Sequence, residues 1–229
     1  MKKLSLVFTK RNLALLLVIA ISAIAFIGWK LSHDPVVKAP ADIEDYLFWQ
    51  AKELTDFKLT GADNKTLGLN DLKGKWSFIF FGYTHCPDVC PLTMGVLGQA
   101  FKILEKTPAV FPEVQGIFVS VDPKRDTPEL LKEYASYFYS EFIGVTGSTA
   151  QLDGFSRQMD AMYTIHPNEP DKPGDNYLVS HTSTIFLVDP QGRLYGRFPP
   201  PQSSQEIVVV FMKIRRFYNE RSNKRWAFF

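Results

Sequence analysis

The chain has 229 residues, of which 45% are hydrophobic and 14% aromatic, and 26 Lys and Arg balance 24 Asp and Glu for a net charge of +2. This length allows one domain with additional segments, and the apolar share is ample for a globular core. The nearly balanced charge gives no case for nucleic-acid binding.

An apolar segment near the N-terminus predicts a membrane anchor. Lys2, Lys3, Lys10 and Arg11 precede an uncharged run of 18 residues, Asn12–Trp29. As a helix this run would be about 27 Å long, just enough for a hydrocarbon core of roughly 30 Å. We therefore expect residues 1–11 to be a short cytoplasmic tail, residues 12–29 to be a single transmembrane helix, and the remainder to be exported.

The competing interpretation of this segment is a cleaved signal peptide, because Ala23-Ile24-Ala25 could serve as a cleavage site. The apolar run continues through Phe26, Ile27 and Trp29, which is long for a signal core and favours the uncleaved anchor. Residues 30–45 have mixed charge and no period, which predicts a linker, and His33 within them is expected to be solvated.

The segment Tyr46–Trp76 alternates short apolar pieces with turn residues, which predicts a β-hairpin ahead of the first core strand. Its predicted elements are strands at Phe57–Leu59 and Leu67–Leu69, a turn at Gly61–Asn64 and a short helical turn at Asn70–Gly74.

The stretch Ile79–Pro91, IFFGYTHCPDVCP, contains the two cysteines of the chain, Cys86 and Cys90. Phe78–Tyr83 is apolar and predicts a buried strand. Pro91 is suited to the first position of a helix. Apolar residues then recur at helical spacing and predict one buried face: Leu92, Val96, Leu97, Ala100, Phe101 and Leu104.

Two cysteines four residues apart at a strand-to-helix turn can project to the same side. A helix N-terminus favours thiolate, whereas Asp88 between the cysteines opposes it, so the pattern fixes no pKa. The pair could form a small disulfide or hold one soft metal ion. A purely structural disulfide is disfavoured because its loop is so short, and a pair of inert buried thiols is the remaining alternative.

The rest of the chain alternates strands and helices, which indicates right-handed parallel crossovers and an α/β fold built on a βαβ core. The predicted elements are a strand at Val114–Val121, a helix opened by Thr127-Pro128 with a stripe of Leu130, Leu131, Tyr134 and Phe138, a strand at Phe142–Thr146, a helix at Ser148–Met159, a polar loop at His166–Asn176, a strand at Thr184–Val188, a turn at Asp189–Gly192, a strand at Leu194–Phe198, and a last helix capped by Ser203 or Ser204.

Three segments closely resemble the signature motifs of the Sco/SenC family, copper-binding assembly factors with a thioredoxin-like fold. They are FGYTHCPDVCP around the cysteines, SVDPKRDTPELLKEY at Ser120–Tyr134, and HTSTIFLVDPQG at His181–Gly192. The resemblance extends from Phe48 to Phe217. It implies a thioredoxin-like copper-binding domain over residues 46–220, with the β-hairpin as an N-terminal extension and residues 221–229 as a tail.

The same resemblance implies that His181 folds back over the cysteines, although it lies 91 residues beyond Cys90. Cys86, Cys90 and His181 would then form a Cys₂His set, which suits Cu(I) and can accept Cu(II). Without the resemblance, His181 would be interpreted as an ordinary loop histidine. Many relatives carry an aspartate directly before this histidine, where this chain has Ser180, and an acid there could orient the ring.

Five further residues are weaker candidates. His85 adjoins Cys86 and is considered as a substitute ligand, although its side chain should diverge from the thiol. Met94 is interpreted as core filling. Asp122 and Asp126 are expected to make turn and helix-cap hydrogen bonds, and His166 to lie in the solvated loop.

These observations lead to one expected function and two alternatives. By resemblance, the chain would be a copper chaperone anchored in a bacterial inner membrane, with its domain in the periplasm. It would receive copper from an upstream donor and help load the dinuclear centre of cytochrome c oxidase subunit II, or another copper-accepting protein. One alternative is a thiol–disulfide oxidoreductase with Cys86 and Cys90 as catalytic residues. The other is a copper-free redox sensor that uses the same disulfide.

Overall fold

The computed structural model describes residues 10–32, 38–166 and 177–226. The chain divides into two units, Met1–Lys38 and Ala39–Phe229. The predictions for His33, for the loop residues 167–176 and for residues 227–229 lie outside the described residues, as do most of the predicted cytoplasmic tail and part of the linker.

The first unit contains one helix, α1, at Lys10–Ser32. It covers the whole predicted span, and its large apolar side chains at Leu15, Leu16 and Ile24 are exposed. Within the described ranges, no helix reaches the combined length and apolar character that a membrane crossing requires. The transmembrane anchor therefore stays a prediction.

The second unit is built on an eight-stranded mixed sheet and a separate antiparallel pair of strands. The strands are β1 Leu47–Glu53, β2 Lys58–Gly61, β3 Thr66–Gly68, β4 Trp76–Gly82, β5 Val114–Ser120, β6 Ile143–Thr146, β7 Tyr163–Ile165, β8 Val179–His181, β9 Ile185–Val188 and β10 Arg193–Phe198. The order in the large sheet is β1-β10-β9-β4-β5-β6-β2-β3, and β7 and β8 form the pair.

The centre of this sheet is β4, in which all seven residues are buried. It runs parallel to β5 and antiparallel to β9. Helices pack against the sheet, and a strand covered on both faces becomes a continuous apolar run rather than an alternating one. The helices are α2 Leu69–Leu72, α3 Val89–Leu104, α4 Pro128–Phe138, α5 Thr149–Gln158 and α6 Ser204–Trp226.

The mixed α/β fold predicted from the sequence is confirmed, including the N-terminal hairpin. Strands β2 and β3 pair antiparallel, and β2 also pairs with β6, so the hairpin extends one edge of the sheet. Thr127 caps α4 by accepting the Leu130 N–H at 3.3 Å, and Ser148 caps α5 by accepting the Gln151 N–H. Three strands had not been identified, β1 at the opposite edge and the pair β7 and β8.

Two details of the cysteine helix were wrong. Helix α3 begins at Val89 rather than at Pro91, because the first N–H groups of a helix have no intrahelical partner and proline is tolerated anywhere in that turn. The predicted buried face holds for Leu97, Ala100, Phe101 and Leu104 but is wrong in its first turn, where Leu92 is 64% exposed and Cys90 and Met94 are buried. The interpretation of Met94 as core filling is confirmed.

The predicted stripe of α4 was also partly wrong. Leu131 and Ala135 are its buried residues, while Leu130, Tyr134 and Phe138 are only half-buried. Residues four apart lie on one face of a helix, so the Leu131–Ala135 pair fixes the face that meets the sheet, and the larger aromatic rings pack at its sides.

Candidate metal centre

The two cysteines lie where β4 ends and α3 begins. Gly82 is the last residue of β4, and the short connection ends in the first turn of α3, which contains Cys90. The Cys86 N–H donates to the Tyr83 carbonyl at 3.3 Å and closes a tight turn. Both cysteines are free thiols, with Cys86 half-buried and Cys90 buried. Cys90 is therefore the more shielded of the two thiols, and both follow the carboxyl end of β4.

Strand β8 brings His181 to the same place. His181 is the last residue of β8 and pairs with Tyr163 of β7. Two aromatic rings meet the imidazole edge-on, with centroid distances of 5.8 Å to Phe80 and 5.9 Å to Tyr83. Such T-shaped contacts favour one ring orientation, so the imidazole is held between the sheet and the cysteine turn.

The donor atoms of Cys86, Cys90 and His181 all lie within 4.8 Å of one another. Among the residues that the structure describes, this is the group of donors placed to hold a metal ion. Cys90 Sγ is 3.2 Å from His181 Nε2. The structure thus brings together the three residues that the sequence singled out. Two thiolates and one imidazole form a soft donor set that suits copper.

The tautomer of His181 follows from its second nitrogen. His181 Nδ1 is 3.3 Å from the Thr182 carbonyl oxygen, which can only accept. This contact assigns the proton to Nδ1 and leaves a lone pair on Nε2, directed at Cys90. The Cys90 thiol then donates to Nε2 in the metal-free protein, and the same lone pair is available to a metal ion.

Burial sets the protonation of the site. It raises the pKa of the Cys90 thiol, with the charge of Cys86 adding to the rise and a hydrogen bond from the Tyr83 backbone opposing it. Burial also lowers the pKa of His181, against opposing backbone contacts at Thr182 and Phe81. At neutral pH the metal-free site therefore holds a protonated Cys90 and a neutral His181. A bound metal ion would displace the thiol proton.

Gly82 makes room for the buried thiol. A Cβ atom at this position would lie 2.6 Å from Cys90 Sγ and 2.8 Å from the Phe118 ring. Both separations are shorter than van der Waals contact, so the backbone of β4 can approach the thiol this closely only with glycine.

The weaker candidates are distributed around the site. The His85 ring is exposed, with Nδ1 3.0 Å from Thr84 Oγ1 and 3.7 Å from an Asp126 oxygen. It does not belong to the donor group. His166 lies at the end of β7, exposed as expected, and contacts the Ser180 hydroxyl at 2.7 Å.

Ser180 does not orient the ligand histidine. Its hydroxyl is engaged with His166, whereas His181 Nδ1 contacts the Thr182 carbonyl. A backbone carbonyl therefore takes the position of an orienting acceptor for the imidazole, a role that a carbonyl can fill as well as a carboxylate.

The roles expected for Asp122 and Asp126 were too simple. Thr127 is the helix cap, and both carboxylates are fully buried. Asp126 accepts the Thr84 N–H, and Asp122 forms an ion pair with Arg125. Sequence reasoning missed these partners. The two acids in SVDPKRDT were the available signal, because buried carboxylates need hydrogen bonds or a counter-ion.

Fold and site together define a thioredoxin-like domain with a Cys₂His metal centre at the end of its central strand. Comparison with known proteins assigns the family. The pattern of the SCO1/SenC family matches residues 49–217, and the chain belongs to that family.

Individual relatives agree with this assignment. The chain is 35% identical over 158 residues to a SCO2-like protein of Rickettsia felis, an alignment that covers 69% of this chain and 74% of that protein. It is similar in structure to Arabidopsis thaliana ScoI with copper bound, at a TM-score of 0.63 and 30% identity over 71% of this chain and 98% of that one. Bradyrhizobium japonicum ScoI, also solved with copper bound, gives a TM-score of 0.60 and 32% identity over 69% and 96%.

Proposed function

We propose that this protein binds copper through Cys86, Cys90 and His181 and passes it to a copper-accepting protein during cytochrome c oxidase assembly. The observation that carries the proposal is the grouping of three soft donor atoms within 4.8 Å of one another. Related proteins solved with copper bound support the choice of metal.

The depth of the three donors suits a site that takes up and releases its cargo. Cys90 is buried, whereas Cys86 and His181 are half-exposed. An incoming ligand from a donor or acceptor protein can therefore reach the ion from the side of Cys86 and His181, while the ion remains bound to Cys90. A site with three protein ligands leaves room for such exchange, unlike a closed structural site with four.

The client and the location are further parts of this proposal. The resemblance in the cysteine motif supports the dinuclear copper centre of cytochrome c oxidase subunit II as client, with copper supplied by an upstream donor. The uncharged run Asn12–Trp29 and the four basic residues before it support a single-pass anchor in the bacterial inner membrane. The copper-binding domain would then work in the periplasm.

Replacing His181 tests the proposal. The full-length His181→Ala variant should still form and reduce the Cys86–Cys90 disulfide, since thiol exchange needs no imidazole. It should lose much of its copper affinity, most severely for Cu(II), which prefers nitrogen more than Cu(I) does. His166→Ala is the matched control, because His166 is an exposed histidine at the end of the neighbouring strand.

One observation favours a second function. Both cysteines are free thiols, and the half-exposed Cys86 lies outside the buried Cys90. That order is also found in a reductase, with an accessible attacking thiol and a protected resolving thiol. If cells carrying His181→Ala assemble oxidase normally at limiting copper while Cys86→Ser cells do not, the protein is a thiol–disulfide oxidoreductase and the copper proposal is wrong.

A further inference from the structure

The segment Asp122–Asp126, which we term the acidic turn, lies between β5 and α4 and contributes no donor atom to the metal centre. Its two carboxylates are nevertheless fully buried. Burying a carboxylate is costly unless its oxygens are satisfied by hydrogen bonds or a counter-ion. The partners of the two acids therefore show what this turn holds in place.

The partners of Asp126 belong to the cysteine loop. Asp126 Oδ2 accepts the Thr84 N–H at 2.9 Å, and Oδ1 accepts the Thr84 hydroxyl at 2.5 Å. The Ser120 hydroxyl, at the end of β5, donates to Oδ2 at 2.5 Å. Thr84 is two residues before Cys86. A rigid acceptor under Thr84 thus fixes the start of the loop that carries the outer thiol.

Arg125 and Asp122 act on the other half of the site. Arg125 Nε donates to Asp122 Oδ2 at 2.5 Å, and its NH1 group donates to the Tyr177 carbonyl at 3.1 Å. The guanidinium lies over the Tyr177 ring at 3.7 Å from the centroid, and the Tyr177 hydroxyl donates to Asp122. The guanidinium also lies 5.5 Å from the centroid of the Tyr83 ring, which meets the His181 ring edge-on. Tyr177 is held by its backbone, its ring and its hydroxyl, four residues before His181.

We propose that the acidic turn positions the two halves of the copper site through different contacts, Asp126 through Thr84 for Cys86, and Arg125 with Asp122 through the Tyr177 and Tyr83 rings for His181. These are positioning residues. The inference rests on the proposed copper function, but it concerns the metal-free protein as well, since every contact is present without metal. Outer partners of this kind typically change metal affinity about 10- to 100-fold.

The first contact is tested with Thr84, which is half-buried and tolerates change more readily than the buried Asp126. Thr84→Val removes the hydroxyl at nearly constant shape, and Thr84→Ser keeps it. Thr84→Val should weaken copper binding about 10- to 100-fold and alter the thiolate-to-Cu(II) absorption band. The nitrogen coupling of His181 in the Cu(II) electron paramagnetic resonance spectrum should persist. Thr84→Ser should restore the wild-type values.

The second contact is tested with Arg125. Arg125→Gln should lose the nitrogen coupling of His181 in the Cu(II) spectrum and should weaken the binding of Cu(II) more than that of Cu(I). The thiolate-to-Cu(II) absorption band should persist. Arg125→Lys should not rescue it, because an ammonium cannot contact Asp122, the Tyr177 carbonyl and the Tyr177 ring as one planar group. Lys124→Gln changes the charge of an exposed residue on the same turn and should leave every value unchanged.

Metal-free protein separates this inference from the copper function. Nuclear magnetic resonance of isotope-labelled, full-length protein reports on each half. The imidazole resonances of His181 should shift in Arg125→Gln and remain unchanged in Thr84→Val. The Cys86 Cβ resonance should shift in Thr84→Val and remain unchanged in Arg125→Gln. Thermal unfolding of each variant is recorded alongside. If both variants shift both resonances in proportion to lost stability, or if neither shifts any, separate positioning is wrong. Absence of copper binding by the wild type would instead defeat the proposed function alone.

Discussion

Cys90 Sγ and His181 Nε2 lie 3.2 Å apart although 91 residues separate them in the chain. The contact is made by the sheet: β4 leads into the cysteine turn, and β9, which follows His181, pairs with β4 through Phe80 and Ile185. The three donors therefore meet only in the folded domain. A ligand that binds the folded state alone stabilises it, so copper binding and folding should be coupled.

Loss of either thiol should abolish tight copper binding. Cys86→Ser and Cys90→Ser each leave one thiolate and one imidazole, and the loss should exceed the 10- to 100-fold typical of outer partners. Competition with a Cu(I) chelator measures the affinity. Thermal unfolding provides a second readout: an ion at about 100 times its dissociation constant stabilises the wild type by roughly 2.7 kcal/mol, and that increment should vanish in both variants.

The unequal depth of the two thiols predicts an order of chemical modification. In the reduced, metal-free protein Cys86 should react with iodoacetamide well before Cys90, because burial both shields Cys90 and raises its pKa. Mass spectrometry of the digested protein identifies the modified residue. The difference should disappear in guanidinium, where both thiols are exposed. Equal rates in the folded protein would mean that Cys90 is not buried as described.

The depressed pKa of His181 predicts a pH dependence of stability. Burial lowers this pKa below its ordinary value of 6.5 in the folded protein. Between the two values the unfolded chain binds more protons than the folded one, so the free energy of unfolding rises with pH and levels off above about 6.5. Urea unfolding of the metal-free protein below and above this pH should show the rise, and His181→Ala should remove that part of it. An unchanged slope in the variant would contradict the prediction.

The sequence predicted those features that local pattern alone determines. The apolar run Phe78–Tyr83 predicted a buried strand, which the structure has as β4, and Thr127-Pro128 begins a helix by local hydrogen bonding. Strand β1 was not identified, because it is an edge strand whose residues are half-buried or exposed, with Trp49 84% exposed. Such a strand lacks both the continuous and the alternating apolar pattern.

For the site as well, the sequence predicted the local features and missed those that depend on the folded sheet. The spacing of Cys86 and Cys90 indicated a thiol pair, but only the family resemblance pointed to His181, since nothing local distinguishes it from a loop histidine. Nor could a sequence pattern show that Asp126 reaches Thr84, 42 residues away. These contacts depend on how the β5–α4 turn and the cysteine loop meet in space, and that is a property of the sheet order.

The predicted anchor has a direct test in cell fractions. If Asn12–Trp29 stays in the membrane as an uncleaved helix, the protein should sediment with membranes after salt and alkaline washes, and N-terminal sequencing should find residues before Asn12. A soluble protein that begins after Ala25 would show a cleaved signal peptide. Replacing Ala20 and Ala23 by Arg should release the protein from the washed membranes, because a charge at the helix centre costs about 2.5 to 3.5 kcal/mol.

Gly82 provides the sharpest test of how closely the sheet must approach the metal centre. In Gly82→Ala the new methyl group would lie 2.6 Å from Cys90 Sγ and 2.8 Å from the Phe118 ring. Phe118 is fully buried in β5 and has little room to move, so the strain falls on the thiol and the backbone. Overpacking of this kind costs about 1 to 3 kcal/mol, and displacing Cys90 should also weaken copper binding and change the thiolate-to-Cu(II) band.

Gly95→Ala is the matched control. Gly95 lies in the same helix as Cys90, and a Cβ atom there would meet nothing within 4 Å. Alanine at this half-buried but sterically open helical position should raise stability by about 0.4 to 1 kcal/mol and leave copper binding unchanged. Chemical unfolding should therefore show a lower stability for Gly82→Ala and a higher one for Gly95→Ala. Cu(I) competition should show weaker copper binding in Gly82→Ala alone. If Gly82→Ala binds copper like the wild type, the thiol is not held against β4, and the geometry derived for Cys90 is wrong.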